Sequence, residues 1–415
     1  MLKKSFLILL IGSMFAFTMI GCGGDDDDYI NGGNPGGNPG GSPGGQSPGG
    51  NPTSINITVT NTAQWNAALI TIRDGGNGTA GNPKAYTITV SGNVMVNGNT
   101  IFNSSFGTVS NVRVTINGNG KLYIIGVGFL LNIGHSQTVV IDSAGLTLEG
   151  LKAGQNDSTM NNIPPIIWVS GGMLELRNGT ISGNISSGTA AGGVFVENGS
   201  FTMSGGAIIG NTSTGNGGGV SVSNGSFTMS GGVISGNTAA GNGGGVSVSN
   251  GSFTMSGGTI SGNTSASSGG GVFVSGNSFS MSGGTVNGNT AFRGGGIYSS
   301  TMDGNMTGGT ISGNTSASFG GGLVVVAGIG FTMSGGIISG NTANNGNGGG
   351  MFVSNNFTKS GGGIIYGNNA ANIADRNTAS ISGHAVYGGY PARSRNATLG
   401  EADNISTNTE TGWGQ

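Results

Sequence analysis

Chemistry at an enzyme site needs charged or nucleophilic side chains gathered in sets, and this chain is poor in them. Only 7% of its 415 residues are charged. Between Gly171 and Asn368 they are Glu175, Arg177, Glu197, Arg293, Asp303 and Lys359. A polysaccharide lyase or hydrolase works with paired carboxylates, for calcium or for acid and base steps. Glu175 and Arg177 lie two apart, as on one strand, and read as a surface ion pair. The densest polar patch is His135, Asp142, Glu149, Lys152 and Asp157, at spacings that match no catalytic or metal-binding motif. The residues therefore nominate no catalytic group, no metal ligand and no cofactor. The enzyme reading is kept as an alternative that would depend on Asp142 and Glu149.

What the chain has in place of charge is repetition. NGSFTMSGGVISGNTAAGNGGGVSVS, residues 224–249, is followed at once by NGSFTMSGGTISGNTSASSGGGVFVS, residues 250–275. The Gly-Gly pairs begin at Gly205, Gly231, Gly257, Gly283, Gly308, Gly335 and Gly361, in steps of 26, 26, 26, 25, 27 and 26. With 92 glycines and no G-X-Y period, collagen is excluded. Regularly placed Val, Ile, Phe and Met exclude a disordered tract. Apolar and small polar residues alternate with the period of a strand. One 26-residue copy buries about six apolar side chains at roughly 1.5 to 3 kcal/mol each, too little to order its own backbone at about 1 to 2 kcal/mol per residue. Each copy needs neighbours, and the repetition supplies them. The expected fold is all-β, a parallel β-helix with three strands per coil of about 26 residues.

Stacking the copies makes columns. Val194, Val220, Val246, Val272, Ile297, Leu323 and Met351 form one inward column, and Phe201, Phe227, Phe253, Phe279, Phe331 and Phe357 another. Lys359 interrupts a Met column and Gly304 the Phe column, which predicts a tapering core near Lys359 and a local irregularity at Gly304. Asn211, Asn237, Asn263, Asn289, Asn314 and Asn341 form a candidate structural ladder, with Asn184 before it and Asn368 after it. They are expected to take the left-handed conformation of a sharp turn, beside GGG corners where a side chain would clash. Between two inward positions one residue points out, and down the stack it reads Phe195, Ser221, Ser247, Phe273, Tyr298, Val324 and Phe352. Phe273, Tyr298, Val324 and Phe352, with Phe292, Arg293 and Phe319 from nearby loops, are the candidate ligand-binding ladder. Exposed, such a strip marks a partner surface; covered by a loop, it becomes satellite core.

The ends differ. TAQWNAALITIRDGG places Trp65, Leu69 and Ile72 at helical spacing, which predicts a short capping helix over the open first coil. After Asn368 the pattern dissolves, and Val386, Tyr387, Tyr390 and Trp413 are expected to close the other end. At the N-terminus, Lys3 and Lys4 precede an apolar run from Phe6 to Ile20, too short for a spanning helix, and then Gly21-Cys22, the only cysteine. Gly23 to Pro52 alternates Gly with Pro behind Asp25–Asp28 and reads as a flexible tether. Of 13 basic and 15 acidic residues, Lys3, Lys4 and Asp25–Asp28 lie ahead of Thr53, which leaves 11 of each beyond it. That balance excludes the basic footprint of nucleic-acid binding.

The MIGC at residues 19–22 resembles the lipobox of bacterial lipoproteins, which implies lipidation of Cys22, membrane attachment through that lipid, and, with Gly23 next, the outer membrane. The FTMSGGTISGNT and GGGV unit resembles the right-handed parallel β-helix repeats of bacterial surface lipoproteins, and more distantly those of polymorphic outer-membrane proteins and autotransporter adhesins. The resemblance implies a surface-exposed, adhesin-like binding or scaffolding module for a glycan or a host or matrix protein. A purely structural envelope spacer is the other alternative. The organisation so read is signal peptide 1–21, lipidated Cys and tether 22–52, N-terminal cap and irregular coils 53–170, regular β-helix 171–368, and C-terminal cap 369–415.

Overall fold

A computed structural model of the chain describes residues 54–98, 104–151, 164–188, 191–301, 303–326, 330–354, 357–367, 372–388 and 393–395. The signal, Cys22 and the tether lie outside the described residues, as do Lys152, Asp157, Asn368, Tyr390 and Trp413. No helix among the described residues is long and apolar enough to cross a membrane.

The fold is a parallel β-solenoid of about ten turns, with about 26 residues per turn and three sheets. The sheet that follows the GGG triplets has ten strands. It pairs Val220 with Val246, Val246 with Val272, Val272 with Ile297 and Ile297 with Leu323, so each residue faces its counterpart one repeat away. The largest sheet carries the FTM strands and the strands after each Gly-Gly pair. These are two pieces in most coils, such as Ser226–Met229 and Val233–Ser235. In two coils they run through as one strand, Asp303–Ser312 and Phe331–Ser339. The third sheet consists of short strands just after the Asn positions, such as Thr238–Ala239.

Alternation decides what is buried. Along Ser226–Met229, Phe227 and Met229 are sealed inside, while Ser226 and Thr228 face out. The phenylalanine column stacks face to face, with ring centroids 4.7 Å apart for Phe201 and Phe227, 5.1 Å for Phe227 and Phe253, and 6.0 Å for Phe253 and Phe279. At Gly304 this column is not broken: Phe279 and Phe331 lean across the glycine and stack on each other at 6.3 Å. A Cβ on Gly304 would come within 2.7 Å of the Phe331 ring, so the missing side chain is space already used. Lys359 sits in register with Met333 and is 9% exposed, so a long amphipathic stem fills a methionine's place.

The corners correct one expectation. The ladder asparagines are not the left-handed residues. Gly210, Gly236, Gly262, Gly288, Gly313 and Gly340, each one place ahead of its asparagine in the sharp turn, carry φ near +62°. A different asparagine set, Asn198, Asn224 and Asn250, takes φ of 54°, 53° and 52° at the NG corner before the FTM strands. Glycine and asparagine both reach this conformation at little cost, and a Cβ on Gly210, Gly236 or Gly262 would meet open space, so glycine there serves the backbone conformation and not a crowded contact. The GGG corner is crowded, as expected. A Cβ on Gly244 would lie 2.5 Å from the Gly270 carbonyl oxygen.

At the N-terminal end, helix α1 (Thr62–Asp74) buries Trp65, Ala68 and Ile72 in the solenoid core. The Asn61 side chain caps it by accepting from the Gln64 amide at 3.0 Å, and the chain leaves the helix at Gly75. At the other end the stack does not stop at residue 368. Strands Thr378–Ala379, Val386–Gly388 and Arg393–Arg395 pair on the preceding coil. The described part of residues 369–415 thus continues the stack as a further coil. A nine-residue lengthening between Asn368 and Asn377 hides it in the sequence.

Candidate binding face

The asparagine column is a continuous hydrogen-bonded ladder inside one corner. The Asn237 Nδ2 donates to Asn263 Oδ1 at 3.0 Å and to the Ile208 carbonyl at 2.9 Å, while the Asn237 backbone N–H donates to the same Asn263 Oδ1 at 2.9 Å. The pattern repeats from Asn211 through Asn263, Asn289 and Asn314 to Asn341, all fully buried. The next rung is Asn377, on which Asn341 donates at 2.9 Å. Asn211, Asn263 and Asn314 also spell Asn-x-Ser, but a buried amide is closed to a glycosylating enzyme.

The polar patch resolves into ion pairs. Arg113 makes a bidentate pair with Glu175, at 2.8 and 3.0 Å, and Arg177 also reaches Glu175 at 2.8 Å. Arg113 holds the Glu175 carboxyl below its ordinary value of 4.5, against the opposing effect of its own burial, with Arg177 adding to the depression. Glu149 pairs with Lys121 at 2.6 Å. Asp142 accepts from Asn178 at 2.8 Å and lies 3.7 Å from Arg177. Asp142 and Glu149 are each engaged by a different cation, Arg177 and Lys121. His135 lines a shallow cleft of about 380 Å³ with Arg113, Ser136 and Met173.

The outward column runs over most of the stack. In register it reads Asn132, Trp168, Phe195, Ser221, Ser247, Phe273, Tyr298, Val324, Phe352 and Tyr387. One expected member is not on the surface. Val324 is 0% exposed. The first glycine of each GGG triplet folds over the strand that follows it: Gly320 lies against the Val324 side chain, and a Cβ on Gly294 would be 3.1 Å from the Tyr298 Cβ. A short side chain is swallowed by this loop, which also explains why Ser247 is 1% exposed. An aromatic ring is long enough to pass beyond it, and Phe273, Tyr298 and Phe352 are half-buried.

The rings form a strip. Phe273 and Tyr298 stack at 5.4 Å with an angle of 18°. Phe352 and Tyr387 stack at 5.5 Å, again at 18°. In the coil of Val324, Phe319 from the loop takes over and lies 4.4 Å from Phe352. The Arg293 guanidinium stands between Phe292, at 5.3 Å, and Phe319, at 5.1 Å. Phe292 is 47% exposed. Burial pushes the Tyr298 hydroxyl up, and the nearby Arg293 charge partly offsets it. Sequence reading missed Tyr387 as a member of this strip, although the AVYG after a glycine-rich turn copies the GVFV and GIYS of earlier coils. Trp168 and Phe195 form a second aromatic pair nearer the N-terminus, at 5.9 Å, with Phe129 4.9 Å from Trp168.

No match to this chain is found among models of protein families, among curated proteins or among solved structures.

Proposed function

We propose that the protein is an adhesin-like binding or scaffolding module, held to the outer membrane by lipid on Cys22 and exposed at the cell surface, with a glycan or a host or matrix protein as partner. The observation that supports the reading is the strip Phe273, Tyr298, Phe319, Phe352 and Tyr387 with Arg293 beside it. Apolar rings that clear the covering loops in adjacent coils leave a contiguous apolar surface, and such surfaces on soluble bodies mark interaction sites. The lipobox-like MIGC and the Gly/Pro tether support the location.

The test is binding of the solubilised full-length protein to a panel of glycans and matrix proteins, beside a Phe273→Ser, Tyr298→Ser, Phe352→Ser variant whose far-UV circular dichroism is unchanged. Binding that disappears in the variant is the expected result. Equal binding by both proteins would move the site off the strip, and no binding by either would leave the spacer. Protease treatment of intact cells tests the location separately: the body is expected to be cleaved, and full protection would overturn surface exposure.

A further inference from the structure

We propose that the ligand of this face is an acidic polysaccharide whose carboxylate is taken by Arg293. The inference rests on the binding-face reading above and names its ligand class.

Arg293 has donors to spare. Among the described residues no ion pair and no side-chain hydrogen bond engages its guanidinium; what holds it are the faces of Phe292 and Phe319. Rings packed on a guanidinium occupy its flat faces and leave the N–H donors around its rim. A rim of five donors in a fixed fork matches the two oxygens of a carboxylate. Arg113 shows the contrast within the same molecule, with its fork already filled by Glu175.

In the pairs Phe273 with Tyr298 and Phe352 with Tyr387 the planes are 18° from parallel and face each other along the stack. Within each pair one face of each ring is covered by its partner, which leaves ring edges and the tyrosine hydroxyls among the parts open to a ligand. An aromatic edge carries the positive end of the quadrupole. Such edges beside one unpaired guanidinium favour an oxygen-rich anion over a cationic partner.

Coils rise by about 4.8 Å, whereas an extended peptide presents one side chain per face every ~6.7 Å, so a peptide laid along the strip falls out of step with the rings. A pyranose chain advances by one sugar in a length close to the coil rise and keeps its register.

The probes are hyaluronan, alginate and polygalacturonate, each beside its carboxyl-reduced form, with polyglutamate as an acidic peptide. The proteins are the full-length chain, Arg293→Gln, Arg293→Lys and the triple aromatic variant, all checked by circular dichroism. At least one acidic polysaccharide is expected to bind, and to bind about tenfold or more weakly after carboxyl reduction or in Arg293→Gln, the loss that removing one charged hydrogen-bonded pair causes. Arg293→Lys should recover part of it, because charge returns without the fork. Equal binding of reduced and acidic chains, or polyglutamate bound as well as the saccharides, overturns the proposal while leaving the face itself standing. So does failure of every acidic polysaccharide when a neutral glycan or a matrix protein binds through the strip. Saccharide binding that survives in the triple variant overturns the binding face and this inference together.

Discussion

Asn263 shows what a single side chain does in this fold. Its Oδ1 accepts from the Asn237 backbone N–H and from Asn237 Nδ2, at 2.9 and 3.0 Å, and its Nδ2 donates to the Ile234 carbonyl and to Asn289 Oδ1, at 2.9 and 3.0 Å. All four partners are buried, and in Asn263→Ala the Asn237 N–H loses its acceptor, while Asn237 Nδ2 keeps the Ile208 carbonyl and Asn289 Oδ1 keeps the residue 263 N–H. Each buried group left unpaired costs about 1 to 3 kcal/mol. Amide exchange resolves this locally: the Asn237 N–H is expected to lose protection in the variant while amides several coils away keep theirs. Uniform exchange along the chain would mean that the ladder contributes no local stability. Glu175 makes the corresponding electrostatic case. Arg113 depresses its folded-state pKa below 4.5, so the stabilisation is fully present above 4.5 and is lost as the pH falls through the depressed value. The difference in denaturation midpoint between the native chain and Glu175→Gln should therefore be largest near neutrality and shrink in acid. A difference that stays constant across that window would show that packing, and not the charge pair with Arg113, is what Glu175 supplies.

At the scale of the strand, position in a column matters more than residue type. Gly304 looks like a defect in the phenylalanine column, yet the Phe279 and Phe331 rings close over it. Restoring the consensus by Gly304→Phe should lower stability by about 1 to 3 kcal/mol, as overpacking does; a rise in the denaturation midpoint would mean that the rings reopen without cost. The columns themselves were legible in the sequence because they are made of near-identical residues at near-constant spacing, and the structure seals Val220, Phe227, Met229 and Ile234 as that pattern requires. Three features were not legible. The burial of Val324 depends on a glycine loop folding outward over the strand, a backbone path that the alternation does not encode. The left-handed residue of each tight turn is the glycine before the asparagine, and both types carry the same turn preference. The final coil was hidden because a nine-residue insertion displaces its asparagine from the expected Asn368 to Asn377. The carboxylates Asp142 and Glu149 were visible as residues, but that Lys121 pairs with Glu149 and Arg177 lies near Asp142 depends on which coils they share.

For the molecule as a whole, the arrangement makes stability a sum over neighbours and not a property of one central core. Every inward side chain packs on its own coil and the two beside it, and the asparagine ladder passes hydrogen bonds from coil to coil in the same nearest-neighbour fashion. Removing one complete repeat, residues 224–249, joins Ser223 to Asn250 and sets Val220 beside Val272 and Asn211 beside Asn263 in the register they would otherwise share with the lost copy. Such a deletion should fold with unchanged β-structure per residue and shorten the particle by about 4.8 Å along its axis, a change measurable by small-angle scattering. Removing only residues 224–236 takes two strands, Ser226–Met229 and Val233–Ser235, from one coil. The next short strand then has to pair with a strand of different inward pattern, and every coil beyond must bridge the gap. That variant should lose cooperative unfolding and far-UV β signal together. If instead the half-repeat deletion folds as well as the full one, the coils are not the cooperative unit, and neither the face nor the ladder can owe its spacing to them.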